Sequence, residues 1–189
     1  GDGRRASRYT REKRIFSACA GAALYRKSVL EQIGLFDEHF FAYNEDVDLS
    51  WRANNAGWRC VLCPEAKCYH ICGASTGAVR YNGFKALQNG RNGILLLRKN
   101  QPLLMCVVNF IPQALGYLLK RWRFHRQGYG AEWDQGMREA FALLREKKLE
   151  RRPFRWRDVP HYLLMELWLI ANFFRYLWYR LVIVRFGLK

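Results

Sequence analysis

Acidic residues are scarce in this chain: 16 Asp and Glu stand against 32 Lys and Arg, a formal net charge of +16 over 189 residues. Such an imbalance demands an anionic partner or surface, whether nucleic acid, a phosphate-bearing substrate or acidic lipid. The chain lacks an initiator Met and a signal peptide, and its opening Gly1-Asp-Gly-Arg-Arg reads as the middle of a longer protein. Internal repeats and low-complexity linkers are absent too. An apolar run of membrane-spanning length is missing. Leu103 to Leu119 is uncharged for 17 residues but contains Asn109, Pro112, Gln113 and Gly116, short of the roughly 20 apolar residues a spanning helix needs. Disorder is excluded as well, since 50% of the residues are hydrophobic and 15% aromatic. A chain of this length holds one ordinary domain plus extensions.

The six cysteines raise the question of metal. Cys60-x-x-Cys63 followed by Cys68-x-His70-x-Cys72 has a superficial likeness to a zinc site. Strand alternation opposes it: Cys60 and Cys63 fall on opposite faces of an extended segment, and Cys68, His70 and Cys72 offer only three ligands. Small buried thiols are a sufficient reading. No export signal supports a disulfide framework.

What is present is concentrated between Phe40 and Gly57, where Glu45, Asp46 and Asp48 follow an aromatic run and open a helical pattern. Asn44 reads as the N-cap and Gly57 as the left-handed stop, predicting a helix over about Glu45 to Ala56. At about 100° per residue, Glu45, Asp48 and Arg52 share one stripe and Asp46 points elsewhere. As plain helix-end electrostatics, each first-turn acid offsets the macrodipole by about 0.3–1 kcal/mol, and Asp48 with Arg52 makes an ordinary i,i+4 pair. A cluster of carboxylates is equally the raw material of acid–base chemistry.

Around this helix, Ile15 to Leu24 reads as a buried strand or a tight turn beside a ligand, with Gly21 in its middle. Arg26 to Ile33 reads as a short helix closed by Gly34, and Phe36-Asp37-Glu38 as a turn. Trp58 to Cys63 and Lys67 to Ile71 read as short strands, and Gly73 to Gly77 as a hydroxyl-bearing loop. Tyr81 to Asn100 reads as a helix with Lys85, Arg91, Arg98 and Lys99 among its apolar positions.

The order Ser17-Ala-Cys-Ala-Gly-Ala-Ala-Leu-Tyr-Arg26, Ile33-Gly-Leu-Phe-Asp-Glu-His-Phe-Phe41, Asn44-Glu-Asp-Val-Asp48, Gly57-Trp-Arg-Cys60, Pro64-Glu-Ala66 and His70 before Gly73-Ala-Ser-Thr76 resembles the C-terminal half of the catalytic domain of inverting family-2 glycosyltransferases. The rhamnosyltransferase-like bacterial members are the nearest in pattern, over about Phe16 to Asn100. The resemblance implies an α/β fold, the C-terminal part of a GT-A (Rossmann-like) domain at residues 1–100, followed by a helical, membrane-interfacial extension at residues 101–189. It places the general base on Asp46 with Glu45 beside it, a ligand of a divalent metal (Mg²⁺ or Mn²⁺) on His70, and on Arg91 of the Arg91-Asn92 pair a cation facing the diphosphate of the donor. It departs from the family in lacking an Asp-x-Asp motif ahead of the central helix. The nucleotide-binding half is therefore expected upstream of Gly1, and the isolated chain is expected to be inactive and to expose Leu24, Val61, Leu62 and Tyr69.

The partners so implied are a nucleotide-diphosphate sugar, a glycan or polyprenyl-linked acceptor of the cell envelope, and the cytoplasmic membrane surface, with no nucleic acid. Beyond Asn100, Lys120 to Arg126 interleaves cations with aromatics, which suits both nucleic acid and lipid headgroups. Gln127 to Arg152 is charged and helical from about Trp133, and Pro153 to Pro160 breaks the chain. Tyr162 to Val184 then reads as an interfacial helix interrupted by Arg175 and Arg180. A non-enzymatic basic adaptor, held by nucleic acid or acidic membrane through Lys120 to Arg126 and the tail, is the competing class of function.

Overall fold

The computed structural model describes residues 9–69, 77, 79 and 81–178. Its framework is helical: α1 (Lys27–Ile33), α2 (Glu45–Asn55), α3 (Gly83–Asn100), α4 (Leu103–Val108), α5 (Phe110–Arg126), α6 (Gly130–Arg145) and α7 (Val159–Trp178). Strands β1 (Lys13–Ile15) and β2 (Cys60–Leu62) form a two-stranded antiparallel ribbon, Lys13 opposite Leu62 and Ile15 opposite Cys60. Single 3₁₀ turns lie at Ala20–Ala22 and Trp156–Asp158. Among the described residues the expected α/β layering is thus reduced to one ribbon packed beside helices. The run from Ile15 to Leu24 resolves into the end of β1 and a tight turn. Residues 67–69 are not extended into a strand, and the rest of that expected strand lies outside the described residues.

Three helix ends follow local chemistry, and the start of α2 departs from it. Gly34 and Gly57 take φ of +82° and +88° and stop α1 and α2 in the left-handed region, where a Cβ is costly. Asn82 caps α3, its side-chain oxygen accepting from the Lys85 amide at 2.8 Å. Asn44 does not cap α2 as expected: it sits at φ +74°, and its side chain makes no capping bond. The N-cap role needs an extended backbone, and Asn44 instead completes a kink begun by Tyr43 at φ +65°.

The main core draws Phe40 and Trp51 together with Leu95, Leu96, Met105, Ala140, Leu149, Tyr162 and Met165, so its side chains come from both sides of residue 100. Each large apolar side chain sealed there contributes about 1.5–3 kcal/mol. A second cluster stacks Phe124 on Trp133 with ring centroids 5.0 Å apart, against Ala86. Phe124 is therefore spent on packing, and within the basic strip Trp122 is the exposed aromatic. The first turns of α7 are in the core through Tyr162 and Met165, unlike the wholly interfacial tail expected. Leu163, Leu167, Ile170, Phe173, Phe174 and Trp178 remain exposed on it. Among the described residues no helix is long and apolar enough to cross a membrane. Leu24, Val61 and Tyr69 stand exposed, as expected, while Leu62 is half-buried.

Helices α3 and α6 meet backbone to backbone. A Cβ on Gly136 would overlap the Leu87 carbonyl oxygen, and one on Gly90 would overlap the Trp133 carbonyl oxygen. Main-chain atoms cannot swing aside as a side chain can. Gly136→Ala is therefore expected to destabilise the chain by about 1–3 kcal/mol, read as a lowered urea midpoint; an unchanged midpoint would mean that the two helices are not in register at this crossing.

Candidate active site

Polar residues dominate α2, yet the helix is buried from Asp48 to Asn55. That is tolerable only where each buried polar group finds a partner. Asp48, with no exposed surface, accepts from Arg52 Nε at 2.9 Å, Lys99 Nζ at 2.9 Å and Asn100 Nδ2 at 2.6 Å. Arg52 turns its remaining N–H groups onto the carbonyls of Ile33 at 2.6 Å, Gly34 at 3.1 Å and Leu35 at 2.7 Å, tying the end of α1 to α2. Lys99 also reaches Asp37 Oδ2 at 2.5 Å, and Asp37 Oδ1 accepts from the His39 amide at 2.9 Å. Burial opposes the charge on Asp37, but the bonds from Lys99 and His39 outweigh it and hold its carboxyl at about 2.

The four carboxylates therefore divide. Asp37 and Asp48 are consumed by the scaffold, whereas no described cation pairs with Glu45 or Asp46. Asp46 Oδ2 accepts from the Ala20 amide at 3.3 Å, and its backbone carbonyl accepts from the Ser17 hydroxyl at 3.4 Å, bringing the 3₁₀ turn over the start of α2. Space is open at the turn: a Cβ on Gly21 would meet nothing within 4 Å. Glu45 Oε2 is buried without a partner. Burial, with the neighbouring Asp46 charge, pushes the Glu45 carboxyl up. Tyr25 joins this group. Its hydroxyl is buried and unpartnered, and burial, then the Asp46 charge, pushes its phenol up, so it is a proton donor held near carboxylates.

The backbone leading into the pair is fixed from α3. Asn92, fully buried, donates from Nδ2 to the carbonyls of Ala42 and Tyr43, both at 2.7 Å. It thereby clamps the left-handed kink at Tyr43 and Asn44, which costs about 1–3 kcal/mol per strained residue. Arg91, one residue away and about 100° around the helix, lies against α6 with its Nε 4.0 Å from Glu139 Oε2. The expected site residues are thus placed unequally: Glu45 and Asp46 come together, Arg91 faces another helix, and His70 lies outside the described residues. Tyr25, Asn92 and Lys99 carry site architecture that spacing did not signal. The adjacency of Arg91 and Asn92 was legible, but the clamp belongs to the amide and not the guanidinium.

The expected metal ligand His70 lies outside the described residues; among the described residues no three His, Cys, Asp or Glu side chains converge, and the five described cysteines are free thiols.

Compared with known proteins, a segment of the chain is similar to a glycosyltransferase. Over 54 residues it is 48% identical to the N-acetylglucosaminyl-diphospho-decaprenol L-rhamnosyltransferase of Mycobacterium tuberculosis, in two strains. That segment is 29% of this chain and 18% of each relative, so the chain matches less than a fifth of the length of these curated relatives. The likeness supports a relationship to glycosyltransferases in coarse terms. No protein-family model matches the chain, and no solved structure matches it.

The lowered Asp37 carboxyl sets a pH window. Its folded value of about 2 lies below the ordinary 3.8, so the stability it contributes is present above pH 3.8 and is lost as pH falls toward 2. Asp37→Asn is expected to flatten the loss of thermal stability across that interval. A melting temperature that falls just as steeply in the variant would show that Asp37 is not the group responsible.

Proposed function

We propose that this chain is the acceptor-side part of an inverting family-2 glycosyltransferase of the GT-A type, moving a sugar from a nucleotide-diphosphate donor to a glycan or polyprenyl-linked acceptor in cell-envelope polysaccharide synthesis. The observation that carries the reading is the division of acids: at the head of one helix, Glu45 and Asp46 are paired with no cation among the described residues, while Asp37 and Asp48 are bound into the scaffold. The 54-residue likeness to a rhamnosyltransferase supports it from a separate direction.

In the proposed mechanism Asp46 takes the proton from the acceptor hydroxyl as that oxygen attacks the anomeric carbon. The bond to the donor diphosphate breaks on the opposite face, its electron pair leaves with the diphosphate, and a single displacement inverts the centre. Glu45 stands beside it, its carboxyl pushed up by burial and by the Asp46 charge. Asn92 acts as a positioning residue through the kink. In the complete natural protein Asp46→Asn is expected to lower turnover by about 10²–10⁴-fold with donor binding nearly intact; near-normal transfer would remove Asp46 from the mechanism.

A divalent Mg²⁺ or Mn²⁺ with His70 among its ligands, and Arg91 toward the diphosphate, belong to the same proposal by resemblance. No step above depends on either. His70→Ala is expected to weaken the response of transfer to added Mg²⁺ or Mn²⁺, and an unaltered metal titration would dismiss the histidine.

We place the protein peripherally at the cytoplasmic face of the membrane. Support comes from α4 and α5, where Leu104, Val107, Ile111, Leu115 and Leu118 are exposed beside Arg123 and Arg126, and from the net charge of +16. Anionic lipid matches both features, an apolar face to insert and cations to meet headgroups. Ile111→Asp with Leu115→Asp is expected to abolish flotation with vesicles containing anionic lipid while leaving the melting temperature unchanged. Undiminished flotation would contradict the assignment of this face.

A further inference from the structure

At the opposite end of α2 from the carboxylates, roughly 13 Å along the axis from Asp46, lies a cleft of about 470 Å³. The C-terminal ends of α1 and α2 form one wall, and the segment from Arg152 to His161 forms the other. Its size is in the range of small-molecule sites, about 300–1,000 Å³.

The lining is cationic, and most of its carbonyls are already engaged. Arg52 covers the carbonyls at the end of α1, and the amide of Ala56 closes onto the carbonyl of Arg52 at 3.1 Å, so the usual negative end of a helix is largely masked. Arg52 itself is neutralised by Asp48. Of the other charged residues, Asp158 is buried and is bound by Arg152 Nη2 at 3.0 Å, with Arg157 Nε 3.8 Å away. Three guanidiniums, those of Arg152, Arg155 and Arg157, against the one carboxylate of Asp158 leave two positive charges on the lining. Arg155 and Arg157 are exposed. Asn55 also lines the cleft, fully buried, and both the oxygen and the nitrogen of its carboxamide lack a partner. Elsewhere on α2 the buried Asp48, Arg52 and Asn54 are bonded within the protein, whereas Glu45 Oε2, Trp51 Nε1 and the Asn55 carboxamide lack partners, and of these three residues Asn55 lines the cleft. His161 sits against the Gly57 turn at the rim, and a Cβ on Gly57 would come within 3.4 Å of its Nε2.

We propose that this cleft is an anion site for a phosphate-bearing group, gripped by Arg155 and Arg157 and seated over Asn55. Planar guanidinium forks match phosphate oxygens bidentately, and a partly enclosed cleft strengthens each charged hydrogen bond. The phosphate can belong to a soluble molecule or to a lipid headgroup. The site is separate from Glu45 and Asp46 and does not rest on the glycosyltransferase reading.

The test uses the full chain, with inorganic pyrophosphate titrated calorimetrically and vesicles with and without phosphatidic acid floated in parallel. Saturable binding of one pyrophosphate per chain is expected. Arg155→Ala with Arg157→Ala, two exposed positions, should weaken it at least tenfold. Arg123→Ala with Arg126→Ala, an equal loss of charge on α5, should change it less than twofold. Asp46→Asn should leave it unaltered, so that failure of this site and failure of the active-site assignment are told apart. If the double variant at 155 and 157 also loses flotation on phosphatidic acid, the ligand is a headgroup; if flotation persists, it is a soluble phosphate compound. Either result supports the site. Absence of saturation at millimolar pyrophosphate, or an equal loss in the α5 variant, would overturn it and leave only diffuse positive charge.

Discussion

The carboxylate of Asp48 is the constraint on which the rest depends. A buried anion is costly unless its lone pairs are filled, and three donors from two helices fill them here. The arrangement settles the register of α2 against α3, since Lys99 and Asn100 must both arrive at one carboxyl group. Through Arg52 it also fixes the carbonyls that end α1, and through Lys99 the turn at Asp37. Removing one partner would leave the others charged and dry, which in buried networks costs about 3–5 kcal/mol. A helix of low hydrophobicity is thereby held inside, with its first turn left free for other work.

That first turn is where scaffold and chemistry part company. The same sequence of acids supplies a structural anion at position 48 and carboxylates with no described cation at 45 and 46, because Asp46 lies about 200° around the helix from Asp48 and Glu45, on the same stripe as Asp48, sits one turn nearer the N-terminus. Asp48 faces α3 and its cations. Asp46 faces the 3₁₀ turn at Ala20, where small residues leave room. Arg52 and Lys99 are directed into the Asp48 network, and Arg152, Arg155 and Arg157 line the cleft at the far end of the helix.

Much of this was legible in the sequence where the signal was local. Gly34 and Gly57 marked two helix ends, and the first-turn acids marked the start of α2. The Asp48–Arg52 pair followed from spacing alone. Lys99 was not legible: it read as one cation of a basic helix, and its partner Asp37 lies 62 positions away. Asn44 misled because its residue type fits a cap as well as a left-handed kink, and the deciding contact comes from Asn92. The uncharged stretch from Leu103 to Leu119 gave no sign that Asn109 divides it into α4 and α5, where its side chain bonds Glu166 of α7 at 2.8 Å. The helical tail beyond Arg152 was visible as apolar, but periodicity could not tell that Tyr162 and Met165 enter the core.

The kink at Tyr43 and Asn44 has a further consequence for how the chain can change. Glycine would occupy either position without conformational penalty, and Tyr43 in particular, bulky and at φ +65°, is where a glycine would relax the backbone most. The ordinary expectation that glycine loosens a fold is reversed there. On backbone conformation alone thermal endurance would favour glycine at both positions, so the side chains of Tyr43 and Asn44 are carried there against a conformational cost.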